Sequence, residues 1–256
     1  MSKSPRKAST NVQAGFTLVE LLVAIAMLGI VMTAIYSTFK SQQDSYVAQE
    51  QVVEMQQNLR ASLYMMVKDM RMAGFNPSKK SNVGGVVTRL PSDDRTDANI
   101  TKTNETHIAF TLDRNFDGEI NADDDDEQIA YRLYIDAGND IYELQKFKVG
   151  NDDDEWLTVA ENIDALDFEY RDKDGNYITQ DVIDNPNVVY ADGLSFIDSI
   201  RSIEIAIVAR TGRQDKSFSG TPKYFNQKGD EVLDAQNDNN RRRFMSVTVL
   251  CRNLGT

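Results

Sequence analysis

Twelve residues from Asp113 to Asp124 place oxygen-bearing side chains at alternate positions. Asp113, Asn115 and Asp117 come first, Gly118 follows at the sixth position, and Asp124 closes the run. Calcium takes six to eight oxygens, and this spacing offers them. In this arrangement Asp113, Asn115 and Asp117 give side-chain oxygens and Glu119 its backbone carbonyl. Asn121 supplies a water-mediated contact and Asp124 the closing carboxylate, while Gly118 permits the sharp turn. Eight acids lie between Asp113 and Glu127, offset only by Arg114, a density that repels itself without a cation. The competing reading is a solvated acidic hairpin tip.

A second chemical signal is one carboxylate in an apolar run. Phe16 to Tyr36 holds 21 residues and a single charge, Glu20. At 1.5 Å per residue such a helix spans roughly 30 Å, the thickness of a bilayer's hydrocarbon core. A charge in that medium costs roughly 2.5–3.5 kcal/mol at mid-helix and less near the edge. Glu20 is therefore expected to have a function. A secretory signal peptide fits poorly, because its small residues should follow the apolar run. Here Ala14 and Gly15 precede it. A plain signal anchor gives no reason for Glu20.

Elsewhere the chemistry is sparse. His107 is the sole histidine and Cys251 the sole cysteine, which excludes a disulfide framework, a cysteine zinc site and a multi-histidine metal centre. No nucleophile–base pair is recognisable, so the expectation is a protein that is not an enzyme. The formal charge of −12 over 256 residues argues against nucleic acid, which requires a basic face.

Gly15-Phe16-Thr17-Leu18-Val19-Glu20, set directly before the apolar run, resembles the processing motif of type IV prepilins and type II secretion pseudopilins. The resemblance implies that a prepilin peptidase cuts after Gly15 and that Phe16 is then N-methylated. It also implies a role for Glu20 in assembly: the carboxylate neutralises the new amine of Phe16, on its own helix or a neighbour's, and sets helix register. An unpaired charge in low dielectric is penalised, so correct stacking is selected. Asp69-Met70-Arg71-Met72-Ala73-Gly74, Arg241-Arg242-Arg243 and Arg252-Asn253-Leu254-Gly255 resemble PilW-like minor pilins, which are related to the J-type minor pseudopilin. The acidic loop resembles the calcium loops of EF-hands and dockerins, although strands flank it here.

Positioning these groups needs a long helix and a head. Val52, Met55, Leu59, Leu63, Met66 and Met70 follow steps of three and four, one helical face. Gly74 and Pro77 supply the stop, so the helix is expected from about Thr17 to Ala73. Alternating segments at Ile108–Leu112, Ile129–Ile135, Ile141–Val149, Leu157–Tyr170, Ile200–Ala209 and Arg243–Cys251 read as strands, with a short one at Val86-Val87. Gly138-Asn139 and Asp174-Gly175 mark turns. Thr211 to Arg242 reads as a long irregular loop, and Asn151 to Glu155 as an acidic turn. The expected fold is α+β: a long N-terminal α-helix, half membrane and half amphipathic, packed on an antiparallel β-sheet head. The expected division is a leader at 1–15, a membrane and assembly helix at 16–36, an amphipathic helix at 37–74 and a β-rich head at 75–256.

The resemblance implies a minor pilin that joins the tip or priming complex of a type IV pilus. Its partners would be the prepilin peptidase, other minor pilins or pseudopilins, the major pilin, the inner-membrane assembly platform and the lipid bilayer. Lys3, Arg6 and Lys7 keep the leader cytoplasmic and place the head in the periplasm before it enters a pilus or pseudopilus. A J-type pseudopilin of a type II secretion system is the alternative. An anchored calcium-dependent adhesin or enzyme is a third reading.

Overall fold

The structure is a computed structural model and describes residues 15–79, 85–87, 106–120, 127–136, 138–148, 155–178 and 199–254. Residues 1–14 of the expected leader at 1–15, Asn121, Asp124 and the Asn151–Asp154 part of the acidic turn lie outside the described residues.

One helix, α1, runs Leu18–Met70. The chain divides into two units, Met1–Gln49 and Glu50–Thr256. In the first, the apolar stretch is wholly unburied and long enough to cross a membrane. In the second, the expected stripe faces inward: Met55, Leu59, Leu63, Met66 and Met70 are buried and Val52 packs beside them. Each such side chain contributes about 1.5–3 kcal/mol on burial. Methionine suits this role because its flexible thioether fills irregular gaps against a pleated surface.

The helix ends at Met70, three residues before the expected Ala73, because the last turn tightens. Met72 N donates to Asp69 O and Ala73 N to Met70 O, both across three residues. Gly74 then takes a positive φ of 76° and donates its N–H to Thr111 O, handing the chain to the sheet. A Cβ at Gly74 would sit 2.5 Å from Leu254 Cδ2 and 3.1 Å from Asn253 O. Gly74→Ala is therefore expected to destabilise the head by about 1–3 kcal/mol, from backbone strain and displacement of the C-terminal turn. Urea unfolding of the solubilised full chain measures it.

Five strands form an antiparallel meander: β1 (Gly85–Val87), β2 (His107–Thr111), β3 (Gln128–Asp136), β4 (Ile141–Lys148) and β5 (Glu155–Glu161). A second antiparallel sheet holds β6 (Ile163–Arg171), β7 (Tyr177–Ile178), β8 (Ser202–Arg210) and β11 (Arg242–Leu250) in the order β11-β8-β6-β7. Leu166, Phe168 and Tyr170 of β6 face Ile207, Ile205 and Ile203 of β8 in register and share one core with the helix stripe and with Ile108, Phe110, Ile129 and Tyr131. The α+β class, with a long N-terminal helix and antiparallel sheets, is thus observed.

Two segments differ from expectation. Leu157–Tyr170 is not one strand. Asn162, at φ 61°, breaks it and sends β5 to one sheet and β6 to the other. Asparagine tolerates this left-handed conformation, and its carbonyl accepts the Arg210 N–H at 2.9 Å. Thr211–Arg242 is not an irregular loop throughout. It contains the hairpin of β9 (Tyr224–Phe225) and β10 (Glu231–Leu233).

Candidate processing and assembly segment

Gly15, Phe16 and Thr17 precede the first helical residue, and Phe16 is almost fully exposed. A helix leaves its first N–H groups without internal partners, and this sequence supplies one locally. Thr17 Oγ1 accepts the Glu20 N–H at 3.2 Å, while Glu20 Oε2 accepts Thr17 N–H and Thr17 Oγ1–H, each at 2.9 Å. This is a reciprocal capping box. Glu20 was legible in the sequence as a lone carboxylate and Thr17 as its cap was not, although the Thr-x-x-Glu spacing was the available signal. The carboxylate therefore has partners on its own chain where the resemblance expects the amine of Phe16. A Cβ added at Gly15 meets no atom within 4 Å, so the fold makes no demand for glycine there.

The acidic loop is described from Asp113 to Glu119. Asp113 is buried; its Oδ1 accepts Phe116 N–H at 2.7 Å and its Oδ2 accepts Gly118 N–H at 3.1 Å. Asn115 Oδ1 accepts Asp117 N–H, and Asp117 Oδ1 accepts Glu119 N–H. Glu127 Oε1 closes the base of the loop on the N–H groups of Arg114 and Asn115. These side chains shape a turn that brings Asp113, Asn115 and Asp117 into one loop. Among the described residues no group of three or more histidine, cysteine, aspartate or glutamate side chains is placed to hold a metal ion. Asp124, the closing ligand of the calcium reading, lies outside them.

Buried charge concentrates elsewhere, where sequence reasoning saw little. Asp69 on the helix accepts a bond from Tyr131 OH at 2.6 Å and pairs with Lys146 at 2.8 Å, tying α1 to β3 and β4. Glu169 and Glu204 stand opposite each other in register on β6 and β8, both buried. Lys228 and Arg171 answer them, and the turn at Asn226-Gln227 donates to both. Arg242 is held by Asp164 and Asp238. Arg241 beside it pairs with Asp215.

Asp215 also accepts the hydroxyl and backbone N–H of Ser217. These bonds, then Arg241, hold its carboxyl down at about 2. A carboxyl depressed in the folded state contributes stability above its unfolded value, and that contribution is lost as pH falls through the folded value. The segment from Thr211 to Arg241 is therefore expected to loosen between about pH 4 and pH 2, read as reduced protection of the Ser217 and Phe218 amides relative to an unstructured chain at the same pH.

The single histidine and cysteine behave as packed groups. Burial, then Arg132, lowers His107 to about 4. Burial alone pushes the Cys251 thiol up to about 12.

The described residues thus join a capped Gly-Phe-Thr-x-x-Glu start and an unburied apolar helix, long enough to cross a membrane, to a β-rich head. The model of the prokaryotic N-terminal methylation motif matches residues 10–36, the stretch holding Gly15, Phe16 and Glu20. The model of prepilin peptidase-dependent protein B matches residues 48–222, more than half of the chain. The chain belongs to that family. A type IV-like pilin from Thermus thermophilus is similar at 11% identity, with a TM-score of 0.46; the match covers 78% of this chain and 97% of that one. No curated protein matches.

Proposed function

We propose that this protein is a minor pilin that is cut between Gly15 and Phe16, methylated on Phe16 and assembled into the tip or priming complex of a type IV pilus. It is a structural subunit, not an enzyme. The observation that carries the reading is α1 itself: its first part is apolar and unburied, and its later part is buried in a bulky two-sheet head. An apolar helix without a cover in its own chain needs lipid before assembly and other helices after it. A head of this size at every position would crowd a helical filament, whereas a few copies at a tip are accommodated. Before assembly the head faces the periplasm.

Within this reading Glu20 exchanges its Thr17 bonds for the amine of Phe16 when subunits join. Glu20→Ala is expected to be cut and inserted normally yet to be absent from sheared filaments. Quantifying the wild-type protein in those filaments tests the low-copy role; abundance near that of the major subunit would defeat it.

Calcium at Asp113, Asn115, Asp117, Glu119 and Asp124 remains part of the proposal. The support is the ligand spacing and the preformed turn, whose carboxylates keep further lone pairs for a cation. Calcium titration should raise the head's melting temperature, and Asp113→Ala should abolish the rise; at a hundredfold excess over Kd the gain is about 2.7 kcal/mol.

A further inference from the structure

The helix face opposite the core stripe carries its own pattern. Arg60, Tyr64, Lys68 and Arg71 follow steps of four, four and three, and all four are exposed. Tyr64 is 74% exposed, and Met65 and Met72 flank the row with apolar surface also open to solvent. The turn after β11 closes on the end of this row: Asn253 Nδ2 donates to Arg71 O, and exposed Arg252 adjoins it. From Met55 to Lys79 the only acid is Asp69, which is buried and already bonded to Tyr131 and Lys146.

This face stands out against the rest of the head. The chain has a formal charge of −12, so carboxylates are plentiful, and several cations elsewhere find them, although among the described residues exposed Arg213, Lys216 and Arg243 do not. Lys146, Arg171, Arg210, Lys223, Lys228, Arg241 and Arg242 are each within ion-pair distance of an acid. Arg60, Lys68, Arg71 and Arg252 make no ion pair among the described residues. Arginine, tyrosine and methionine are the residue types enriched where protein surfaces meet.

We infer that the row Arg60, Tyr64, Lys68, Arg71, extended by Arg252, is the docking surface for a carboxylate-rich face of a neighbouring pilin-class head. The inference rests on the filament reading above and adds to it the partner's chemistry and the residues that meet it. Charge complementarity selects the occupant. This head itself exposes carboxylates, at Asp117 and Glu119 in one loop and at Asp140, which also pairs with Arg210. The cations steer and orient the approach, while Tyr64 and Met65 supply desolvated contact at the centre.

The test uses the full chain in cells with a photocrosslinking phenylalanine at position 64. The readouts are recovery in sheared filaments and the adduct, mapped by peptide mass spectrometry. In an otherwise wild-type chain, the adduct should map to an acid-rich segment of another pilin-class head. Lys68→Glu with Arg71→Glu should lower both adduct and filament recovery about tenfold or more, while Lys68→Gln with Arg71→Gln falls between. Trypsin resistance and membrane insertion of the variants establish that the heads are folded. A wild-type adduct with lipid, with a neutral or basic segment, or with nothing overturns the surface. So does filament recovery of the reversed variant at the wild-type level. Absence of the unsubstituted protein from every filament fraction would instead defeat the filament reading.

Discussion

Gly15→Val is expected to leave the whole population in precursor form, with its leader attached and Phe16 unmethylated. Gly15 precedes the helix and is exposed, and a side chain there would meet nothing within 4 Å. The fold therefore tolerates valine, and membrane insertion is expected to be unchanged, because the apolar stretch that follows keeps its length and composition. What changes is the bond presented to the peptidase. A cut made by a positioned active site is sensitive to displacement of about 1 Å, with losses on the order of 10²-fold. A Cβ branched next to the scissile bond imposes a displacement of that size. The measurement is the ratio of precursor to mature chain on a gel, with the N-terminus read by mass spectrometry. Normal processing of Gly15→Val would place the cut elsewhere.

Arg242→Ala should cost the head about 3–5 kcal/mol, the range for removing one partner of a buried ion pair. The Arg242 side chain is 2% exposed. Its Nε donates to Asp164 at 2.5 Å, and its two terminal nitrogens form a fork on Asp238 at 2.6 and 2.7 Å. That geometry joins the start of β11 to β6 and to the segment that returns from the β9–β10 hairpin. Burial raises Asp164 above the usual carboxylate value despite its two arginine neighbours, so it tolerates badly the loss of either. The bonds from Arg242 lower Asp238. Removing the arginine leaves Asp164 charged and buried with only Arg210, at 3.4 Å, to answer it. Arg242→Ala with Asp164→Ala should recover part of the loss, because the stranded charge goes with it. Denaturant unfolding of the three variants checks both statements; equal stability of Arg242→Ala and wild type would contradict them.

The parts of the fold written in periodic pattern were legible from sequence. Steps of three and four at Met55–Met70 located the buried helix face, and alternation at Ile129–Ile135 and in Ile203, Ile205 and Ile207 located strands, although β8 is buried on both faces and Ile135 is exposed. The break at Asn162 was not legible. The apolar alternation runs through it, and only the competition between two sheets for β5 and β6 requires a left-handed residue there. Asp69 stood in the sequence as part of the Asp69–Gly74 resemblance, with no partner named; its partners Tyr131 and Lys146 are distant in sequence. Arg242 was visible as one of three arginines, but which of them turns inward is decided by the register of β11 against β8. At the N-terminal segment Gly15, Phe16 and Glu20 carried the resemblance that the match of the methylation motif to residues 10–36 repeats. The cap from Thr17 is a local contact that sequence spacing contained and functional attention to Glu20 passed over.

The most direct test of the account is a clean deletion scored for two outputs in one strain, surface pili by electron microscopy and released exoproteins by secretome comparison. The account predicts loss of pili with secretion unchanged, restored by the wild-type chain and not by Glu20→Ala. Normal pili with exoproteins trapped in the periplasm would contradict it and assign the protein to a secretion pseudopilus.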